Sequence, residues 1–254
     1  MSEYLYVYGA VEGTPGALPS VGMPEGQRPR SLPLDDRMSL VVSDVSAAVY
    51  HTDALESKLA DLDWVAAAGA AHHAVVDALA EAGDVVLPFR LFTIFSTEDR
   101  ARATFAEAKT GMAHAFDRVR GRQEWVLRIG KPDPSRVPAP LATGTAPATG
   151  TGFLQAKADA RREAVARAER VRQDAAAAFD ELAGLADAAT SRPVDPAGNL
   201  LCDGAFLVQP TRVPDLRDAL TRSAKRLLGD GCPVSLTGPW PPYSFASFDV
   251  TADG

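Results

Sequence analysis

The side chains best suited to chemistry in this 254-residue chain are few, and their spacing argues against a reactive centre. His51, His72, His73 and His114 are its only histidines. His72 and His73 are neighbours, and consecutive residues on a helix point about 100° apart, so the two are poorly placed to grip one metal ion. Neither a His-x-x-x-His pair nor a histidine beside two cysteines occurs, which are spacings that zinc sites use. Cys202 and Cys232 lack Cys or His at ligand spacing, and they lie in or beside expected strands, where a free Cys behaves as a small buried hydrophobe. Asp35-Asp36 and Asp61-x-Asp63 are carboxylate pairs, but their loop and helix surroundings mark them as solvated. There is no Gly-x-Ser-x-Gly elbow to present a nucleophile. Thr149-Gly150-Thr151-Gly152-Phe153 opens a helix, and helix N-termini bind anions. The run lacks the third glycine, the following lysine and the preceding strand of a phosphate loop, so it reads as linker. The expectation is no catalytic residue, no metal and no cofactor.

What stands out instead carries no reactive group. Leu236 to Phe245 reads Leu-Thr-Gly-Pro-Trp-Pro-Pro-Tyr-Ser-Phe. Pro239, Pro241 and Pro242 fix their own φ, remove an amide donor, and push the residue before each toward extended geometry. Trp240, Tyr243 and Phe245 therefore ride on a stiff backbone, and rigid aromatics lose little entropy when a partner buries them. Trp240, Pro241, Pro242, Tyr243 and Phe245 are candidate protein contacts. The same segment has a second reading, as a tail that folds back over a sheet. Arg90, inside the apolar run Leu87 to Phe95, reads either as a guard on an edge strand or as the buried partner of a carboxylate.

Bulk properties describe an ordinary globular chain. Hydrophobic residues make up 46% and charged residues 23%. A net charge of −7 and an acidic isoelectric point near 5.1 argue against a nucleic-acid partner. No apolar stretch nears the roughly 20 residues of a membrane span, and no basic start with a long apolar core marks a signal peptide. The expected setting is cytoplasmic.

Periodicity places the elements. Tyr4 to Val11 and Arg37 to Val45 read as strands, with a Gly- and Pro-rich loop over Glu12 to Pro33. Ala54 to Ala82 is helical, with Gly83 as its cap. Val85 to Phe95 is a buried strand touched by Pro88, a helix follows from Ser96 or Thr97 to Val119, and Gln123 to Ile129 is a strand. Prolines 132, 134, 138, 140 and 147 make 131–150 a linker. Phe153 to Ala189 is a long helix, about 55 Å if unbroken, which Gly184 can interrupt. Along it Ala164, Ala168, Val171, Ala175, Phe179, Leu182 and Ala186 form a narrow stripe. Ala168, Val171, Ala175 and Phe179 are the second set of candidate contacts, with packing inside the chain as the competing reading. A strand over Leu200 to Val208, a helix over Val213 to Leu228 and a strand over Val234 to Thr237 complete the chain.

The fold expectation is α+β with small mixed sheets in two domains: 1–130, then the proline-rich linker 131–150, then 151–254 opening on the long helix. Ferredoxin-like topology is expected in at least one of them.

The string Gly238-Pro239-Trp240-Pro241-Pro242-Tyr243-Ser244-Phe245 closely resembles the C-terminal signature of the GvpF/GvpL family of gas vesicle proteins. Tyr4-Leu5-Tyr6-Val7-Tyr8-Gly9, Val86-Leu87-Pro88-Phe89-Arg90 running to Thr93-Ile94-Phe95, and Glu124-Trp125-Val126-Leu127-Arg128 resemble its other strands in order. Leu91-Phe92 departs from the pattern, which has a small residue there. The resemblance implies ferredoxin-like topology and a gas vesicle accessory or minor structural protein without catalysis. It implies assistance in shell assembly by binding the shell subunit or other accessory proteins, with no nucleic acid and no membrane as partner. Two rivals remain: an enzyme or small-ligand protein on a ferredoxin-like scaffold, which needs a pocket of convergent polar groups, and a regulatory protein that binds a transcription factor or DNA.

Overall fold

The computed structural model describes residues 3–133 and 150–248. Two compact units emerge, one of Met1–Glu124 with Pro239–Gly254 and one of Trp125–Gly238. The tail from Pro239 groups with the N-terminal residues. Most of the proline-rich stretch 131–150 lies outside the described residues.

In the first unit, β1 (Glu3–Glu12) is the central strand because its side chains are apolar or aromatic at nearly every position, and Leu5 to Val11 are buried throughout. It pairs antiparallel with β3 (Met38–Ser46) on one side, and on the other with β4 (Val86–Pro88) and β5 (Ile94–Phe95). β2 (Arg30–Pro33) pairs with β3, giving the order β2-β3-β1-β4 with β5 also on β1. The β1–β3 register shifts between Val7 and Gly9, and a Cβ on Gly9 would lie 2.5 Å from the Leu87 carbonyl oxygen, so only glycine lets these strands close.

The expected buried strand over Val85 to Phe95 is two short pieces. Between them the chain turns, with the Arg90 carbonyl accepting from the Thr93 amide and hydroxyl and Phe92 at a φ of 64°. Arg90 is exposed at this turn, which removes the buried-partner reading. The expected helix over Ala54 to Ala82 is divided as well: α1 (Ala47–Tyr50), α2 (Thr52–Leu59) and α3 (Leu62–Glu81). Asp61 caps α3 by accepting from the Asp63 and Trp64 amides, so one half of the Asp61-x-Asp63 pair is a helix start. Asp35 likewise accepts from the Arg37 and Met38 amides in a turn, and those contacts together with Lys109 hold its carboxyl below the ordinary range. Thr97 caps α4 (Glu98–Glu107), which is followed by α5 (Lys109–Val119).

The second unit runs strand, helix, strand, strand, helix, strand: β6 (Gln123–Gly130), α6 (Gly150–Ala183), β7 (Ala188–Ser191), β8 (Leu200–Val208), α7 (Val213–Gly229) and β9 (Val234–Trp240). The sheet order is β7-β8-β6-β9, with β7 and β8 antiparallel. Trp125, Leu127 and Ile129 from β6, with Phe206 and Val208 from β8, meet Val171, Ala175, Ala178 and Leu182 of α6 and Leu216, Ala219 and Leu227 of α7. Arg222–Glu181, Arg226–Asp174 and Arg167–Asp230 ion pairs flank the two helices.

Candidate functional site

Around the Trp240-to-Phe245 segment, the first unit sorts signature residues into those that hold and those that face solvent. Gly238 adopts a φ of 148°, open to glycine, and delivers the chain to Pro239. After Trp240 the backbone does not remain extended. Tyr243 donates its amide to the Pro241 carbonyl at 2.8 Å and Phe245 to the Pro242 carbonyl at 3.0 Å, so the run closes into a tight turn. The cause lies at Ser244, whose amide and hydroxyl both donate to the Glu124 carboxylate at 2.8 Å. Glu124 is only 2% exposed, and a buried carboxylate is tolerated where donors surround it. Pro241, Pro242, Phe245 and Ala246 are buried, and Phe248 meets Phe89 edge-on at 5.6 Å.

Two of the large rings remain at the surface. Trp240 is 40% exposed and Tyr243 36%. Both lie beside His73, with ring centroids 5.8 Å and 5.9 Å from it. The Tyr243 hydroxyl stands 3.4 Å from His73 Nδ1, and His73 Nε2 stands 3.1 Å from an Asp77 carboxylate oxygen one turn along α3. Burial raises the pKa of the Tyr243 hydroxyl, and the nearby charges of Asp77 and Glu124 raise it further, so the ring keeps its proton.

The adjacent histidines divide as their helical positions dictate. His72 turns inward, where its Nδ1 is 2.7 Å from the Tyr6 hydroxyl, and that hydroxyl accepts the Phe92 amide. Which atom donates in the Tyr6–His72 contact depends on the imidazole tautomer, and Nε2 is buried without a close hydrogen-bond partner among the described residues. Burial pushes the His72 pKa down to about 4; the His73 charge adds to this and the Phe89 backbone opposes it. Among the described residues no three His, Cys, Asp or Glu side chains could hold a metal ion. Cys202 and Cys232 are free thiols, and burial pushes Cys202 up to about 11, away from nucleophilic use.

The α6 candidates fare differently. Val171 and Ala175 are buried in the core of the second unit and Phe179 is half-buried against Phe206 at 5.2 Å, so these three serve internal packing. Ala168 is exposed, as is nearly every residue of α6 from Leu154 to Arg170. On this stretch Leu154 is 67% and Val165 64% exposed. Both border the Ala168 face at helical spacing, beside the stripe of small residues and not within it.

An open depression of about 480 Å³ on the first unit is lined by Glu107, Gly111, His114, Arg118, Ser247 and Phe248. The His114 imidazole has no hydrogen-bonded hydroxyl, thiol or carboxylate among the described residues, so no base–nucleophile pair forms there. No helix of the described residues is long and apolar enough to cross a membrane.

The architecture is two α+β units, the first with Trp240 and Tyr243 at its surface and the second with an exposed helical stretch. The model of the family described as gas vesicle synthesis protein GvpL/GvpF matches residues 4–247, and the chain belongs to that family. It is 30% identical to gas vesicle protein L of Streptomyces sp. (strain CB03234) over 250 residues, covering 95% of this chain and 92% of that protein. It is also 30% identical to gas vesicle protein L2 of Halobacterium salinarum over 278 residues, covering 100% and 94%. The crystal structure of the gas vesicle protein GvpF from Anabaena sp. PCC7120 superposes with a TM-score of 0.66 at 18% identity, over 98% of both chains. That of GvpF from Microcystis aeruginosa gives 0.64 at 18% identity, over 98% of this chain and 100% of that one.

Proposed function

We propose that this chain is a non-catalytic accessory or minor structural protein of the gas vesicle, acting in shell assembly by holding the shell subunit or other accessory proteins. Cytoplasm and the vesicle itself are its proposed locations. The observation that carries this reading is the division of labour in the tail. Pro241, Pro242 and Phe245 are buried and Glu124 fastens Ser244, so that Trp240 and Tyr243 stay at the surface on a fixed backbone. Exposed aromatics held in one conformation are what a protein-contact anchor requires. A shell subunit awaiting assembly exposes apolar surface, and such anchors can shield it. Ala168, with Leu154 and Val165 on the exposed part of α6, offers a second contact face of helix-in-groove character. Val171, Ala175 and Phe179 support that helix from within the core.

Gene deletion in a vesicle-forming host tests the role. Loss or malformation of vesicles, restored by the wild-type gene and not by a Trp240→Ala, Tyr243→Ala double variant, is the expected result. Normal vesicles in the deletion strain would remove the assembly role.

A further inference from the structure

The exposed rings beside α3 sit against two carboxylates that no lysine or arginine meets among the described residues, and that combination has a chemical preference. Asp77 pairs with His73, an imidazole that neutralises it only when protonated, and Glu81 follows on the same helical face four residues on. No lysine or arginine pairs with either carboxylate among the described residues. Both lie toward the C-terminal end of α3, where the helix dipole is negative, and the last turn carries no basic residue. Left alone, that placement is unfavourable; a cation from outside would relieve it. Trp240 and Tyr243 flank His73 at 5.8 Å and 5.9 Å, with ring planes 43° and 35° from the imidazole, and part of each ring is open to solvent. Tryptophan gives the strongest cation–π attraction of the aromatic side chains.

We propose that Trp240, Tyr243, His73 and Asp77 form a receiving site for an arginine side chain presented by a partner polypeptide. Arginine suits it better than lysine. The planar guanidinium stacks on an aromatic face while its edge donates two hydrogen bonds to one carboxylate, whereas an ammonium offers a point charge. The site names the chemistry of the partner at the tail face described above, and it rests on that reading of the face as a protein contact.

The test uses the full chain and a defined probe, the blocked tripeptide acetyl-Gly-Arg-Gly-amide, with citrulline replacing arginine in the control. The signal is the indole N–H resonance of Trp240, told apart from those of Trp64 and Trp125 by its loss in Trp240→Phe. A saturable shift with the arginine peptide, absent with the citrulline peptide and weakened at least five-fold in Asp77→Asn, is the expected result. Equal response to both peptides, an unchanged Kd in Asp77→Asn, or no saturable shift would overturn the site. The same Asp77→Asn variant, returned to the deletion host, separates the two readings. Lost peptide binding with normal vesicles rejects a role for this face in assembly and keeps the arginine site. Absent peptide binding by the wild type with vesicles lost in the variant rejects the arginine site and keeps the contact face.

Discussion

Glu124 and Ser244, 120 residues apart in sequence, are joined by two hydrogen bonds of 2.8 Å, one to each carboxylate oxygen. This contact ties Glu124, at the start of β6, to the tail that follows β9. It sets the exposed aromatics in place by fixing the turn that carries them.

Removing this acceptor leaves two donors unsatisfied. Hydrogen bonds to a charged group contribute about 1.5–3 kcal/mol each, so Glu124→Ala is expected to cost roughly 3 kcal/mol and Ser244→Ala about half of that. Urea unfolding measures both, and the double variant should cost less than the sum of the singles. Additive losses would show that the two side chains act independently.

His72 makes the stability pH-dependent. Its folded pKa of about 4 lies below the ordinary histidine value of 6.5, so the unfolded chain binds the proton more readily. The stabilisation from burying the neutral ring is present above the unfolded pKa and is lost as pH falls from about 6.5 toward 4. The total is about 3 kcal/mol as an upper figure, from 1.36 kcal/mol per pKa unit. Thermal unfolding from pH 7 to pH 4 should fall less steeply for His72→Phe than for the wild type. Parallel pH profiles would contradict this.

The two ends of α6 should respond oppositely to mutation. Leu182 is fully buried in the second core, and Leu182→Ala is expected to cost about 2–5 kcal/mol by leaving a cavity. Leu154→Ala and Val165→Ala, at exposed positions, should change stability by no more than about 0.5 kcal/mol. Denaturant midpoints decide it, and a large loss at Val165 would mean that the exposed stretch packs against something in the monomer.

Gly9→Ala places a methyl group 2.5 Å from the Leu87 carbonyl oxygen, a backbone atom that moves only with its strand. A loss of about 1–3 kcal/mol is expected from such overpacking, read from the shift in the urea midpoint. A neutral effect would show that β4 yields.

The strands and long helices were legible because their periodicity is strong: β1, β3, β6, β8 and α7 fall within a few residues of where composition puts them. Gly184 marked the end of α6, and Gly83 closes α3 as expected, with the Asp84 amide reaching back to the Leu79 carbonyl. β2 and β7, four residues each, were missed, since a short edge strand takes its structure from a partner and not from its own residues. The break at Phe89–Thr93 was hidden by its apolar composition. Chemistry-bearing pairs dissolved into local roles, Asp61 and Asp35 being held by backbone amides. At the tail the aromatic signature was visible, but not which rings it buries. That depends on Glu124, which in sequence is one more charge at the start of a strand.

The central claim is that the chain works by gripping other polypeptides through the tail aromatics. Co-purification of the tagged full chain with co-expressed shell subunit and individual accessory proteins tests it, comparing wild type with Trp240→Ala, Tyr243→Ala at equal folded amounts. At least a ten-fold loss of one bound partner is the expected result. Undiminished recovery of every partner by the double variant would contradict the account.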